Sequence, residues 1–310
     1  MDTESFVSIG SHSLFLSLSS QDAHASSLVV FLAGAGDVAA SFGPLARLVG
    51  VFAPVMRYDR SGLGRSEQGP HRPTATRAAT ELHQLRVVAH LEVPFILVAH
   101  SYGAIVAREY LHQYPNEVAG MVLVDASTER QGNFVQAIHQ DAIAAVLGNM
   151  NFAQVTGLRA QAQLSRDEWR TRAADISRSL STWQAESALL HEVCDTLGQK
   201  DQYRTRALGA KPLVVLRARP SQDYERIYAA GVAAGQGTEA QRAAFRDLLD
   251  RWDAWNQETQ AAQLQLSSMH RLVDVPDCGH HVHLIRPELV AAEVRWVYNQ
   301  ILDSQGLSNL

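Results

Sequence analysis

Two cysteines in 310 residues, Cys194 and Cys278, are too few and too far apart for a disulfide framework or a thiolate metal cluster, and such sparse use fits a reducing compartment. No run of five like charges occurs and the formal net charge is -5, which argues against a nucleic-acid or anionic-membrane surface. No stretch reaches the roughly 18 apolar residues of a membrane span. The N-terminus carries Asp2 and Glu4 where a secretory signal needs bases. Neither G-x-G-x-x-G, nor a P-loop lysine, nor HExxH is present. The expectation is a soluble, cytoplasmic protein that acts on a small molecule, with no nucleic acid, no membrane, no cofactor and no metal.

What is there describes a folded chain: 46% hydrophobic and 19% charged residues are ordinary globular proportions. Residues 6–9 and 14–18 alternate around Gly10-Ser11 and predict a hairpin, while LVVFL (28–32) predicts a strand buried on both faces. A helix over 39–48, a strand over 52–59, a helix over 74–91, a strand over 95–98, a helix over 103–114 and the strand GMVLVD (120–125) follow. From 126 to 210 the patterns are helical only, among them the amphipathic NFVQAIHQDAIAAVLG (133–148), a Ser165-x-x-Glu168 capping box and a helix over 183–198. Strands return at PLVVL (212–216) and HRLVDV (270–275), separated by an Ala/Gly-rich stretch (229–237) and a helix over 239–266. A helix over 287–302 comes last. This alternation predicts an α/β fold: a mostly parallel eight-stranded sheet with helices on both faces and right-handed crossovers. The core would comprise 1–125 and 211–310, with a helical insertion over 126–210.

The chemistry concentrates in two stretches. In VAHSYGAIVA (98–107) the chain leaves an apolar strand through a histidine, a serine and a glycine and enters a helix at once, close to the Gly-x-Ser-x-Gly turn that exposes a nucleophilic serine. Gly103 keeps the second glycine; Ala99 can replace the first where the backbone stays out of the left-handed region. The plainer alternative is that Ser101 only caps the helix. In DCGHHVHLIRPE (277–288), His280, His281 and His283 lie between the last strand and the last helix, where a neutral imidazole can serve as base and then acid. Their spacing does not favour a zinc site.

Four stretches together, FLAGAGD (31–37), RYDRSGLGRS (57–66), AHSYGA (99–104) and DCGHHVHLIRPE, resemble the α/β-hydrolase fold family over nearly the whole chain. The resemblance implies Ser101 as nucleophile and His280, the histidine after the glycine, as base, leaving His283 to support the site from behind or to packing. It implies a triad acid at the end of the sixth strand, Asp125, or after the seventh, where Asp223 comes first; Asp125 is the choice. It implies an oxyanion hole from the N–H groups of Ala35 and Tyr102. Asp59, Arg60, Gly62, Gly64 and Ser66 match a family turn and read as structural, with a solvated salt bridge. Residues 126–210 correspond to the cap, where Phe134, Ile138, Phe152, Trp169 and Trp183 are pocket candidates, although helical spacing equally suits core residues.

The implied function is a serine hydrolase cleaving a small, neutral to moderately apolar ester or lactone. A serine where epoxide hydrolases and dehalogenases carry aspartate argues against those reactions. The alternatives are a lyase, acyl transferase or cyclase using the same Ser/His pair, or a non-catalytic ligand-binding member. A homodimer through the cap stays open.

Overall fold

The computed structural model describes residues 2–19, 27–134 and 137–306, with the side chains at 133, 137 and 138 outside that set. The hairpin strands β1 (Thr3–Ser8) and β2 (Ser13–Leu18) open the chain, and β3 (Leu28–Leu32), α1 (Gly43–Val49), β4 (Val55–Tyr58), α2 (Ala75–Val88), β5 (Phe95–His100), α3 (Gly103–Gln113) and β6 (Val118–Val124) follow. The helical insertion comprises α4 (Gln131–Phe134), α5 (Ala137–Leu147), α6 (Phe152–Val155), α7 (Leu158–Gln161), α8 (Arg166–Arg178), α9 (Leu180–Ala188), α10 (Leu190–Gly198) and α11 (Gln202–Thr205). Then come β7 (Leu213–Ala218), α12 (Ser221–Ala233), α13 (Glu239–Gln263), β8 (His270–Val275), α14 (Val282–Ile285) and α15 (Pro287–Ser304).

The sheet order is β1-β2-β4-β3-β5-β6-β7-β8, antiparallel up to the β2–β4 pair and parallel from β4 to β8. Every residue of β3, β5 and β6 is buried, as expected of parallel strands covered on both faces. Leu82 and Leu85 of α2 with Ala104, Ala107 and Leu111 of α3 fill one side; Leu45 and Val49 of α1 with Val290, Val294 and Val297 of α15 fill the other.

Two local readings change. The helix expected over 39–48 is a 3-10 turn at Ala39–Phe42 followed by α1, because Pro44, which lacks an N–H, is suited to a helical first turn and not to an interior. The Ala/Gly-rich stretch belongs largely to α12. Its Gly231 is tolerated because α12 crosses α5 so closely that a Cβ there would lie 2.2 Å from the Val146 carbonyl oxygen. Ile227 of α12 and Phe245, Leu248 and Trp252 of α13 pack with Ala142 and Val146 of α5 in one apolar cluster. The helical layer thus draws on two chain segments, one before β7 and one after it. No described helix is long and apolar enough to cross a membrane.

Candidate active site

Ser101 sits at φ +52, a left-handed conformation that exposes the residue between β5 and α3. Its N–H donates to the Val124 carbonyl (3.2 Å), and its own carbonyl accepts from Ala104 N (3.0 Å) and Ser127 N (3.0 Å), so the turn is held from three sides. Gly103 is required there, since a Cβ would come within 2.2 Å of the Leu32 carbonyl oxygen. Ala99 remains a strand residue paired with Leu32 and Leu123, which is why alanine suffices.

His280 reaches the same cavity from the β8–α14 loop. Its Nδ1 lies 2.6 Å from Asp125 Oδ2, and its backbone N–H donates to Asp223 Oδ2 at 2.9 Å. The two candidate acids therefore take different parts of one residue: Asp125 takes the ring, Asp223 the main chain. Gly279 allows the second bond, because a Cβ there would be 2.2 Å from that carboxylate. Asp125 itself is strained, at φ +41, and its other oxygen accepts from Ala218 N (3.3 Å). Burial pulls the His280 pKa down, but the Asp125 hydrogen bond and the charges of Asp125 and Asp223 outweigh it and hold the imidazole above its ordinary value.

The cavity measures about 220 Å³ and is lined by Ala35, Ser101, Tyr102, Asp125 and His280 on the sheet side. Among the described residues neither the Ala35 nor the Tyr102 N–H donates a hydrogen bond, so both are available to an incoming oxyanion. Across from them stand Tyr224 of α12 and Trp252, Trp255, Asn256 and Gln260 of α13. Those α13 residues, missed from sequence, recur at helical spacing in WDAWNQETQ and share one face.

Four of the pocket candidates do not line this cavity. Phe134 stacks behind Trp255 at 4.0 Å, Phe152 packs edge-on to Tyr224 and His281, and Trp169 packs with Leu158 and Leu164. Trp183 lines a second cavity with Gly36, Arg172 and His281. The side chain of Ile138 lies outside the described residues.

The turn after β4 also differs from expectation, because its ion pair is buried. Arg60 and Glu186 of α9 are 5% and 2% exposed and 2.7 Å apart. Arg60 also donates to the carbonyls of Ala33 (2.6 Å) and Gly34 (2.9 Å), and Glu186 accepts from Gly36 N (2.9 Å). The pair thus fastens the loop that presents the Ala35 N–H to the helical layer. Glu186→Ala leaves a buried guanidinium uncompensated and frees Gly36. The expected result is a stability loss of about 3–5 kcal/mol, read by denaturant unfolding.

A left-handed serine elbow at the end of a central parallel strand, a histidine after the last strand and a carboxylate on its ring define a class. The chain belongs to the alpha/beta hydrolase family, whose described domain it matches over residues 29–293. A Gibberella zeae protein named an AB hydrolase superfamily protein is 31% identical over 259 residues, covering 79% of each chain. A Hormonema carpetanum protein named a probable transporter is 27% identical over 320 residues, 98% of this chain but 44% of that longer one. The chain is similar in structure to the esterase RhEst1 from Rhodococcus sp. ECU1013, with a TM-score of 0.63, 17% identity and 97% and 99% of the two chains covered. For a serine hydrolase involved in carbazole degradation the corresponding values are 0.64, 14%, 97% and 100%. At such identities the fold is what is shared.

Proposed function

We propose that this chain is a serine hydrolase that cleaves a small, neutral to moderately apolar ester or lactone through an acyl-enzyme on Ser101. The observation that carries the reading is the Asp125 carboxylate 2.6 Å from His280 Nδ1, in a cavity that also holds Ser101 in its strained elbow. Asp125 keeps the Nδ1–H tautomer, so His280 Nε2 is the lone pair that takes the Ser101 hydroxyl proton. Ser101 Oγ bonds to the acyl carbon, and the N–H groups of Ala35 and Tyr102 hold the oxyanion. Imidazolium returns its proton to the leaving alkoxide, which departs as the alcohol. Water then attacks the acyl-enzyme, giving a proton to His280, which passes it to Ser101 Oγ as the acyl bond breaks, and the acid leaves with Ser101 restored. Residues 126–210 together with α12 and α13 serve as the cap that forms the far wall.

The test is turnover of p-nitrophenyl butyrate and labelling by a fluorophosphonate probe. Both are expected, with kcat/KM rising with pH: the reaction needs neutral His280, whose pKa is raised above 6.5, so the half-maximal point lies above that value. Labelling without hydrolysis would transfer the same Ser/His pair to a lyase, acyl-transfer or cyclisation reaction. Neither labelling nor turnover would overturn catalysis and favour ligand binding alone.

A further inference from the structure

Next to the catalytic pair lies a buried cluster that the proposed reaction does not use. Asp37 from the loop after β3, His100 at the end of β5, His281 from the loop after β8 and His283 from α14 each offer one ligand atom, and these atoms all lie within 4.8 Å of one another. The cluster contains several side-chain atoms with no hydrogen-bond partner among the described residues: Asp37 Oδ2, His100 Nδ1, His281 Nδ1 and both ring nitrogens of His283. A buried polar atom left unpaired loses its hydration without compensation, so such a concentration calls for an occupant.

The outer atoms of two of these groups are already held. Asp37 Oδ1 accepts from Ser41 Oγ (2.5 Å) and from Arg172 (3.2 Å), which turns Oδ2 toward the rings, 3.7 Å from His283 Nε2. His100 Nε2 pairs with the carbonyl oxygen of His280 at 3.0 Å, so it carries the proton and Nδ1 carries the lone pair. Phe42 stacks on the His283 ring at 4.8 Å.

We propose that Asp37, His100, His281 and His283 form a binding site for a divalent transition-metal ion of the zinc class. Three imidazoles and a carboxylate are the donor set such an ion takes, and four protein ligands fill a tetrahedron. Its edges are about 3.4 Å for bonds of about 2.1 Å, so the rings close inward by about 1 Å on binding. With no open coordination position the ion is structural: through His100 it fixes the carbonyl of His280, through His281 the rest of that loop, and through His283 the helix α14 that follows it. Arg172 beside Asp37 lowers the affinity without occupying a ligand atom. Spacing within the loop hides this site, because two of its four ligands arrive from β3 and β5.

The experiment uses the tag-free full chain, stripped with a chelator and titrated with Zn²⁺, with Co²⁺ as a spectroscopic stand-in. One equivalent of zinc by calorimetry and elemental analysis is expected, with an intense tetrahedral Co²⁺ visible band and a Tm rise on the order of 5 °C at saturating zinc. Asp37→Asn, which preserves the acceptor for Ser41 and Arg172, and His281→Gln should each weaken zinc binding by about 100-fold or more. The proposal falls if the folded wild-type chain binds no stoichiometric zinc, or if both variants bind it as wild type does. Fluorophosphonate labelling of the stripped chain reports on Ser101 separately, so failure of the metal site and failure of the hydrolase reading are distinguishable.

Discussion

Ser101→Ala is expected to lower ester turnover by about 10⁵-fold or more and to abolish fluorophosphonate labelling. The remaining groups bind and polarise the carbonyl, but no atom is left to carry the acyl group. The fold should survive, because the elbow rests on main-chain bonds from Ser101 to Val124, Ala104 and Ser127 and on Gly103 against Leu32, not on the hydroxyl. Ser101→Gly sharpens the test. At φ +52 a side chain is strained and glycine is not. The glycine variant should be equally inactive yet melt about 2–4 °C higher. An alanine variant that retains labelling would move the nucleophile elsewhere.

The second large effect separates the two aspartates around His280. Asp125→Asn is expected to reduce kcat by about 10⁴-fold. An amide NH₂ facing Nδ1 would favour the tautomer with the proton on Nε2, and that imidazole cannot take the serine proton. The pH profile supplies the independent sign. The carboxylate is the main influence raising the imidazole against burial, so removing it should shift the acidic limb of any residual activity to lower pH. Asp223→Asn keeps an oxygen for the His280 N–H and should cost about 10-fold, through looser positioning alone. The opposite ranking, with Asp223→Asn the more damaging by orders of magnitude, would hand the acid role to Asp223.

Much of this architecture was readable locally. LVVFL, FILVA and VLV are apolar without alternation, and only strands buried on both faces need that; Thr74 caps α2 and the Ser165/Glu168 box opens α8 in the structure. The serine elbow was legible because a strand-to-helix turn demands small residues at fixed offsets, and His280 because a motif marks it. The pocket was not. Phe134, Phe152 and Trp169 are large and apolar, but composition cannot say which side of a short helix meets a cavity and which meets its neighbours, and the wall instead combines Gln140, Ile143 and Leu190 of the insertion with α12 and α13 from beyond β7.

The sequence by itself determined the sheet, the helical excursion and the serine turn, since each depends on periodicity or turn chemistry within a few residues, while the choice of His280 among three neighbouring histidines came from the family resemblance. Only the tertiary structure decided which aspartate meets the His280 ring across 155 residues, that Arg60 is buried against Glu186 across 126, and that Asp37 and His100 complete a cluster with His281 and His283. Those contacts follow from strand order: β3, β5, β6 and β7 lie side by side in the sheet, so loops remote in sequence converge at one edge, and desolvation there gives ordinary charges and imidazoles their unusual roles.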